Sequence, residues 1–300
     1  MVRIRFSISL TYQVLNQHSD FIFNIQAAHS HRQCIIEEQL DIEPPTPYQA
    51  WEHKLDGCRY LRLRAKPGPL TVIYTGMVDI DHHEAEPDSL HEMPIEALPI
   101  DALLYIYPSR YCQSDRLRSL ANFEFGHLPP GYSRVLAIRD WVNRRTRFLS
   151  GSSGGATSAI DTLTDQAGVC RDFAHLMIAL CRALSIPARF VSGIDYGADP
   201  SLGAPDFHAY VEVMLSGRWY LFDPSGVSPV MGLVRLGTGR DAADVAFATV
   251  FGSVLSQAPV IEVSALLDPN GGIDFPVYSN KALSSSADYI TAFRETANIL

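Results

Sequence analysis

Cysteine is scarce in this 300-residue chain and follows no pairing pattern. The five residues, at positions 34, 58, 112, 170 and 181, are odd in number and share no C-x-x-C spacing. They read as free thiols of a reducing compartment, neither a disulfide framework nor a zinc site. Positive charge is also short. Lys and Arg number 24 against 33 Asp and Glu, a net charge of −9, which argues against a nucleic-acid partner needing clustered cations. No apolar run reaches membrane-spanning length, and the alternating start Met1-Val2-Arg3-Ile4-Arg5-Phe6 lacks the apolar core of a signal peptide. A soluble, cytoplasmic protein without a membrane partner is the expectation. Neither a Walker loop, a dinucleotide fingerprint nor a calcium loop is present. What remains is an ordinary globular composition, 47% hydrophobic and 19% charged, on a chain long enough for one large or two modest domains.

The first ninety residues have the period of strands. Arg3 to Leu10, Tyr60 to Arg64 and Thr71 to Thr75 alternate, and Phe21 to Ile25 is more continuously apolar. Together they predict an antiparallel sandwich over 1–95. Asp81, His82, His83, Glu84, Glu86, Asp88 and three prolines then crowd into a polar linker. Its spacing fits no metal-ligand pattern. Ser114 to Phe125 predicts a short helix, and Ser133 to Phe148 an amphipathic one with a basic outer face. Gly151-Ser152-Ser153-Gly154-Gly155 matches the letters of a hydrolase nucleophile elbow, but the strand-before, helix-after setting is missing, so it reads as a loop.

The stretch Gly168-Val169-Cys170-Arg171-Asp172-Phe173-Ala174-His175 opens the most apolar helix, running to about Leu184. Phe173, Leu176, Met177, Leu180 and Leu184 recur on one face, and Ala174, Ile178 and Ala179 make the other side apolar too. Pro187 forbids continuation. Cys170 falls in the first turn, where unpaired N–H groups and the helix dipole favour an anion. A cysteine on a buried helix is ordinarily a small hydrophobe, so partners decide the matter. His175 points well round the helix. Cys181 lies about 16 Å along it at roughly 1.5 Å per residue, too far for a resolving thiol.

Partners emerge from a predicted hairpin, Phe207 to Leu215 and Arg218 to Asp223, turning at Ser216-Gly217. That turn pairs Val213 with Tyr220 and Val211 with Phe222. His208, Tyr210, Glu212, Met214, Trp219, Leu221 and Asp223 then share one face. Asp223 lies diagonally across from His208. An imidazole with an orienting carboxylate is what a thiol nucleophile requires.

Four stretches, Gly168 to Ala174, Ile186-Pro187-Ala188-Arg189, Asp206 to Val213 and Trp219 to Pro224, resemble the transglutaminase-like superfamily in order and spacing. Ser109 to Asp115 and Gly239-Arg240-Asp241 resemble bacterial members that carry an N-terminal β region. The resemblance implies an α+β, papain-like/transglutaminase-like catalytic core over 96–267, with 268–300 as an extension. It carries Cys170 onto the nucleophile, His208 onto the base and Asp223 onto the orienting acid, with no cofactor and a peptide or protein substrate. Tyr210 stands where relatives often have Trp. For the oxyanion, the Cys170 N–H is a candidate from its helix position and Gln166 from proximity alone. Hydrolysis, acyl transfer to an amine, and a non-catalytic scaffold all stay open at this point, as does the oligomeric state.

Overall fold

Alternation in the first eighty residues becomes two stacked sheets. The computed structural model describes residues 1–286 except 55, 200 and 202; of the terminal helix considered for 286–300, all but Ser286 lies outside the described residues. Six strands build the N-terminal region: β1 (Val2–Val14), β2 (Ser19–Phe23), β3 (Gln33–Glu43), β4 (Tyr48–Glu52), β5 (Arg59–Ala65) and β6 (Gly68–Ile80). One sheet runs β1-β6-β3 and the other β2-β5-β4, all antiparallel. Every second residue of β1 is buried. Ile4, Phe6, Ile8 and Leu10 thereby meet Phe21, Phe23, Leu61 and Leu63 in one core. Each such side chain removed from water stabilises the fold by about 1.5–3 kcal/mol.

After β7 (His83–Ala85) the chain crosses through short 3-10 helices into the second region. This holds α1 (Ser114–Phe125), α2 (Tyr132–Arg145), β8 (Arg147–Phe148), α3 (Ala159–Asp165), β9 (Ala167–Gly168) and α4 (Cys170–Ala183). A four-stranded sheet follows, made of β10 (Ala188–Asp195), β11 (Phe207–Leu215), β12 (Arg218–Phe222) and β13 (Leu233–Gly239). Its order is β12-β11-β10-β13, antiparallel throughout. The face carrying Ala188, Phe190, Ala209, Val211, Val213, Tyr220 and Phe222 packs against α4, which is buried from Asp172 to Ala183. At its β13 edge the sheet joins the sandwich core through Val234 and Leu236.

Two expectations need correction. Helix α2 ends at Arg145 rather than near Phe148, because Arg147–Phe148 pairs in parallel with Ala167–Gly168. Residues 248–266, expected within the catalytic unit, return to the sandwich instead. There β14 (Ala248–Phe251) pairs with β2, while β15 (Val254–Ser256) and β16 (Val260–Leu266) pair with β1. The physical reason is the long open edge of β1, whose backbone groups need partners along thirteen residues. A last strand, β17 (Ala282–Ser284), pairs with β7. No helix is long and apolar enough to cross a membrane, and no three His, Cys, Asp or Glu side chains gather as metal ligands among the described residues.

Candidate active site

The local sequence explains how Cys170 is presented. Asp172 at the third helical position accepts a hydrogen bond from the Val169 N–H at 2.8 Å, fixing the entry into α4. Gly168 is required beside it, since a Cβ there would come within 2.6 Å of the Asp172 Cβ. The Gly-x-x-x-Asp spacing thus holds Cys170 at the helix tip, half-buried. Its Sγ lies 3.8 Å from the carbonyl oxygen of Phe207, the first residue of β11.

The next residue of that strand is His208. The hairpin turns as its residues dictate, with Ser216 and Gly217 at φ +47° and +79°, the primed geometry. Leu215 pairs with Arg218, Val213 with Tyr220 and Val211 with Phe222. The ladder closes at Phe222, so Asp223 stands just past it. Its Oδ2 is 3.5 Å from His208 Nε2, both side chains buried. The other oxygen, Oδ1, accepts from the Ser225 N–H at 2.8 Å and the Ser225 hydroxyl at 2.6 Å, turning Oδ2 toward the ring. Asn143 on α2 donates to the carbonyls of Pro224 and Ser225 at 3.1 and 3.0 Å and steadies the turn. Tyr210 meets the His208 ring edge-on at 4.5 Å, its hydroxyl 3.0 Å from that of Ser228.

Charge sets the protonation states. Burial opposes the imidazolium, but Asp223 and Cys170 outweigh it and hold the His208 pKa well above the usual histidine value. Burial also opposes the Asp223 carboxylate, and His208 with the Ser225 donors overcomes it, leaving the pKa below the ordinary 3.8. Desolvation pushes the buried thiols of Cys58 and Cys112 up to about 12, and pushes that of Cys181 up as well.

The remaining sequence candidates separate. His175 is fully buried, stacked between Tyr111 at 4.9 Å and Phe190 at 5.2 Å, with Nε2 accepting the Ala242 N–H. Desolvation keeps it neutral. Gln166 caps α3 in a left-handed conformation with an exposed side chain. The Gly151–Gly155 segment is a loop, preceded by the two-residue β8, and α3 begins only at Ala159. Ser153 accepts a hydrogen bond from Arg171. The basic face of α2 is partly paired: Arg134 with Glu92, and Arg145 over the Trp141 ring. The two stretches flanking the core meet, since the Tyr111 N–H donates to Asp241, and Arg182 on α4 reaches both Ser109 and the Arg240 carbonyl. Sequence reasoning missed Ser225, Asn143 and Asp172. An Asp-Pro-Ser sequence is an Asx-turn signal that pointed to the first.

The chain is similar to known proteins in sequence and in fold. Residues 121–224 match the model of the transglutaminase-like superfamily, and residues 2–101 that of the bacterial transglutaminase N-terminal domain. A solved protein from Cytophaga hutchinsonii named "Putative Cysteine Protease" is 40% identical, with a TM-score of 0.87, covering 94% of this chain and 97% of its own. An uncharacterized Mycobacterium leprae protein is 33% identical over 117 residues, 37% of this chain and 42% of its own length. One from Mycobacterium tuberculosis is 34% identical over 152 residues, 46% of this chain and 48% of its own. The matched stretches thus span under half of those two relatives. The chain belongs to the transglutaminase-like superfamily, with a transglutaminase-like core and a strand-rich N-terminal region.

Proposed function

We propose that the chain is a cysteine-dependent hydrolase of amide or peptide bonds, acting through an acyl-enzyme on Cys170 in a reducing, cytoplasmic setting. One juxtaposition carries the reading: a thiol at a helix N-terminus beside an imidazole that Asp223 orients and holds toward its charged form. His208 takes the thiol proton, and the thiolate attacks the carbonyl carbon of the substrate. Backbone N–H groups at the start of α4, that of Cys170 first, face the oxygen that becomes negative. The imidazolium then gives its proton to the departing amine, leaving a thioester. Water, deprotonated by His208, attacks the thioester; the carboxylic acid leaves and the thiol is restored. Through both steps Asp223 fixes the ring orientation and stabilises the imidazolium.

The same thioester could pass to an amine, as the superfamily name suggests. Incubation with a glutamine-containing peptide and a labelled amine separates the outcomes. Hydrolysis without label incorporation, with a Cys170-bound acyl mass in rapid quench, supports the hydrolase. Label incorporation makes it a transferase. No acyl mass and no amide consumed, with a cellular phenotype unchanged by Cys170→Ala, removes both and leaves a scaffold.

A further inference from the structure

One buried carboxylate near the site has no use in the reaction above. Val191 and Gly193 of β10 pair directly with Tyr210 and His208, so they share the catalytic face, and Asp195 follows on that face at the strand end. In a regular ladder the diagonal from His208 to Asp195 is about 7–8 Å. Asp195 is only 9% exposed, and its Oδ2 is buried with no donor among the described residues within hydrogen-bond distance. A buried carboxylate oxygen without a donor is costly, and native structures seldom keep one without a reason. Beside it, the segment from 274 to 281 presents apolar surface. The Phe275 ring lies parallel to Tyr196 at 6.5 Å, and Val277 and Tyr278 project 57% and 71% exposed. Burial first, and then the Asp223 and Asp195 carboxylates, raise the Tyr278 pKa.

Resting on the hydrolase reading, we infer that Asp195 and this apolar segment form a specificity subsite for a cationic side chain on an aliphatic stem, a substrate lysine or arginine next to the scissile amide. The ammonium or guanidinium supplies the donor that Oδ2 lacks, in a desolvated setting where a charge-assisted hydrogen bond is strong. The methylene stem lies along Tyr278. A neutral or acidic side chain leaves the carboxylate unpartnered or opposed, which gives discrimination as well as affinity.

The test needs a readout independent of turnover. Cys170 of the full chain is modified with methanethiosulfonates bearing a trimethylammonium-ethyl, a methyl or a sulfonatoethyl group, with exposed Cys34 as the internal reference. Relative to Cys34, Cys170 should favour the cationic over the neutral reagent by about tenfold, and Asp195→Asn should erase most of that preference. Equal ratios at the two cysteines, or a ratio unchanged in Asp195→Asn, overturn the inference. Peptides differing only in Lys, norleucine or Glu beside the scissile amide form the second arm. Tyr278→Ala, on an exposed position, should narrow the Lys-to-norleucine ratio of kcat/KM even if Asp195→Asn folds poorly. Cleavage without Lys preference overturns the subsite and leaves the hydrolase reading standing. A cationic-reagent preference lost in Asp195→Asn, with no peptide cleaved, supports the subsite and removes the hydrolase.

Discussion

The sandwich and the catalytic region are stabilised by different means. In the sandwich, apolar side chains point inward on alternate residues, and ion pairs such as Arg64–Asp20 and Arg32–Asp81 stay at the surface. In the catalytic region, charge goes inside. Glu212, fully buried, is held by Arg189 at 2.7 Å and by Arg235, and Arg189 lies 4.3 Å over the Trp219 ring. Arg182 bonds the carbonyls of Ala188, Tyr107 and Arg240 and the Ser109 hydroxyl. A sheet repeats its own hydrogen bonds, whereas the irregular segments of the second region need side chains to satisfy their carbonyls. Buried charge therefore marks the transglutaminase-like region, whereas the buried polar side chains of the sandwich, such as Asn24 and Gln33, are uncharged.

Perturbing each half should separate the two roles. The largest effect is expected from Cys170→Ala, a fall of roughly 10³-fold or more in amide hydrolysis with the thermal midpoint nearly unchanged. Asp223→Asn should lower kcat by about 10²–10⁴-fold by leaving the ring without its orienting charge. Glu212→Gln breaks a buried charge cluster and should cost about 3–5 kcal/mol in denaturant unfolding. Phe21→Ala opens a cavity in the sandwich core and should cost a similar amount, about 3–5 kcal/mol, but leave the modification rate of Cys170 in the folded fraction unaltered. Large loss of Cys170 reactivity in folded Phe21→Ala would break the division between the halves.

Two groups of the candidate site should make stability depend on pH in opposite directions. The His208 pKa is raised on folding, so its contribution is full below about 6.5 and is lost as pH rises through the higher folded value. Asp223 is lowered, so its contribution is present above 3.8 and is lost as pH falls through the folded value. Cys170→Ala removes one of the two neighbours that raise the His208 pKa, so the alkaline limb of stability should move to lower pH. Pulse proteolysis across pH measures it. The smallest effect is Asp20→Asn at the exposed pair with Arg64, where no change in midpoint is expected.

How much was legible in the sequence follows the same division. The catalytic helix, the hairpin register and the side-chain parity of His208 and Asp223 were readable because strong periodicity and an unambiguous turn specify them. The bounds of α1 also match. In the sandwich, β3 and β4 were not readable. From Cys34 onward β3 has no fully buried residue and only a short alternation at Leu40 and Ile42, and β4 has no buried residue at all. The strands β14 to β16 lie at sheet edges with largely exposed side chains, and nothing local says which sheet they join. In the site, Asn143 acts from a helix eighty residues before the turn it steadies. Only the folded chain brings these together.

The activated thiol is the claim on which the rest depends. Iodoacetamide labelling of the purified chain, followed peptide by peptide at neutral pH, measures it directly against the exposed Cys34 and the buried Cys58 in the same molecule. Cys170 should label fastest by a wide margin, and His208→Ala should remove that advantage. Labelling of Cys170 no faster than Cys34, or a rate indifferent to His208, would contradict the assignment.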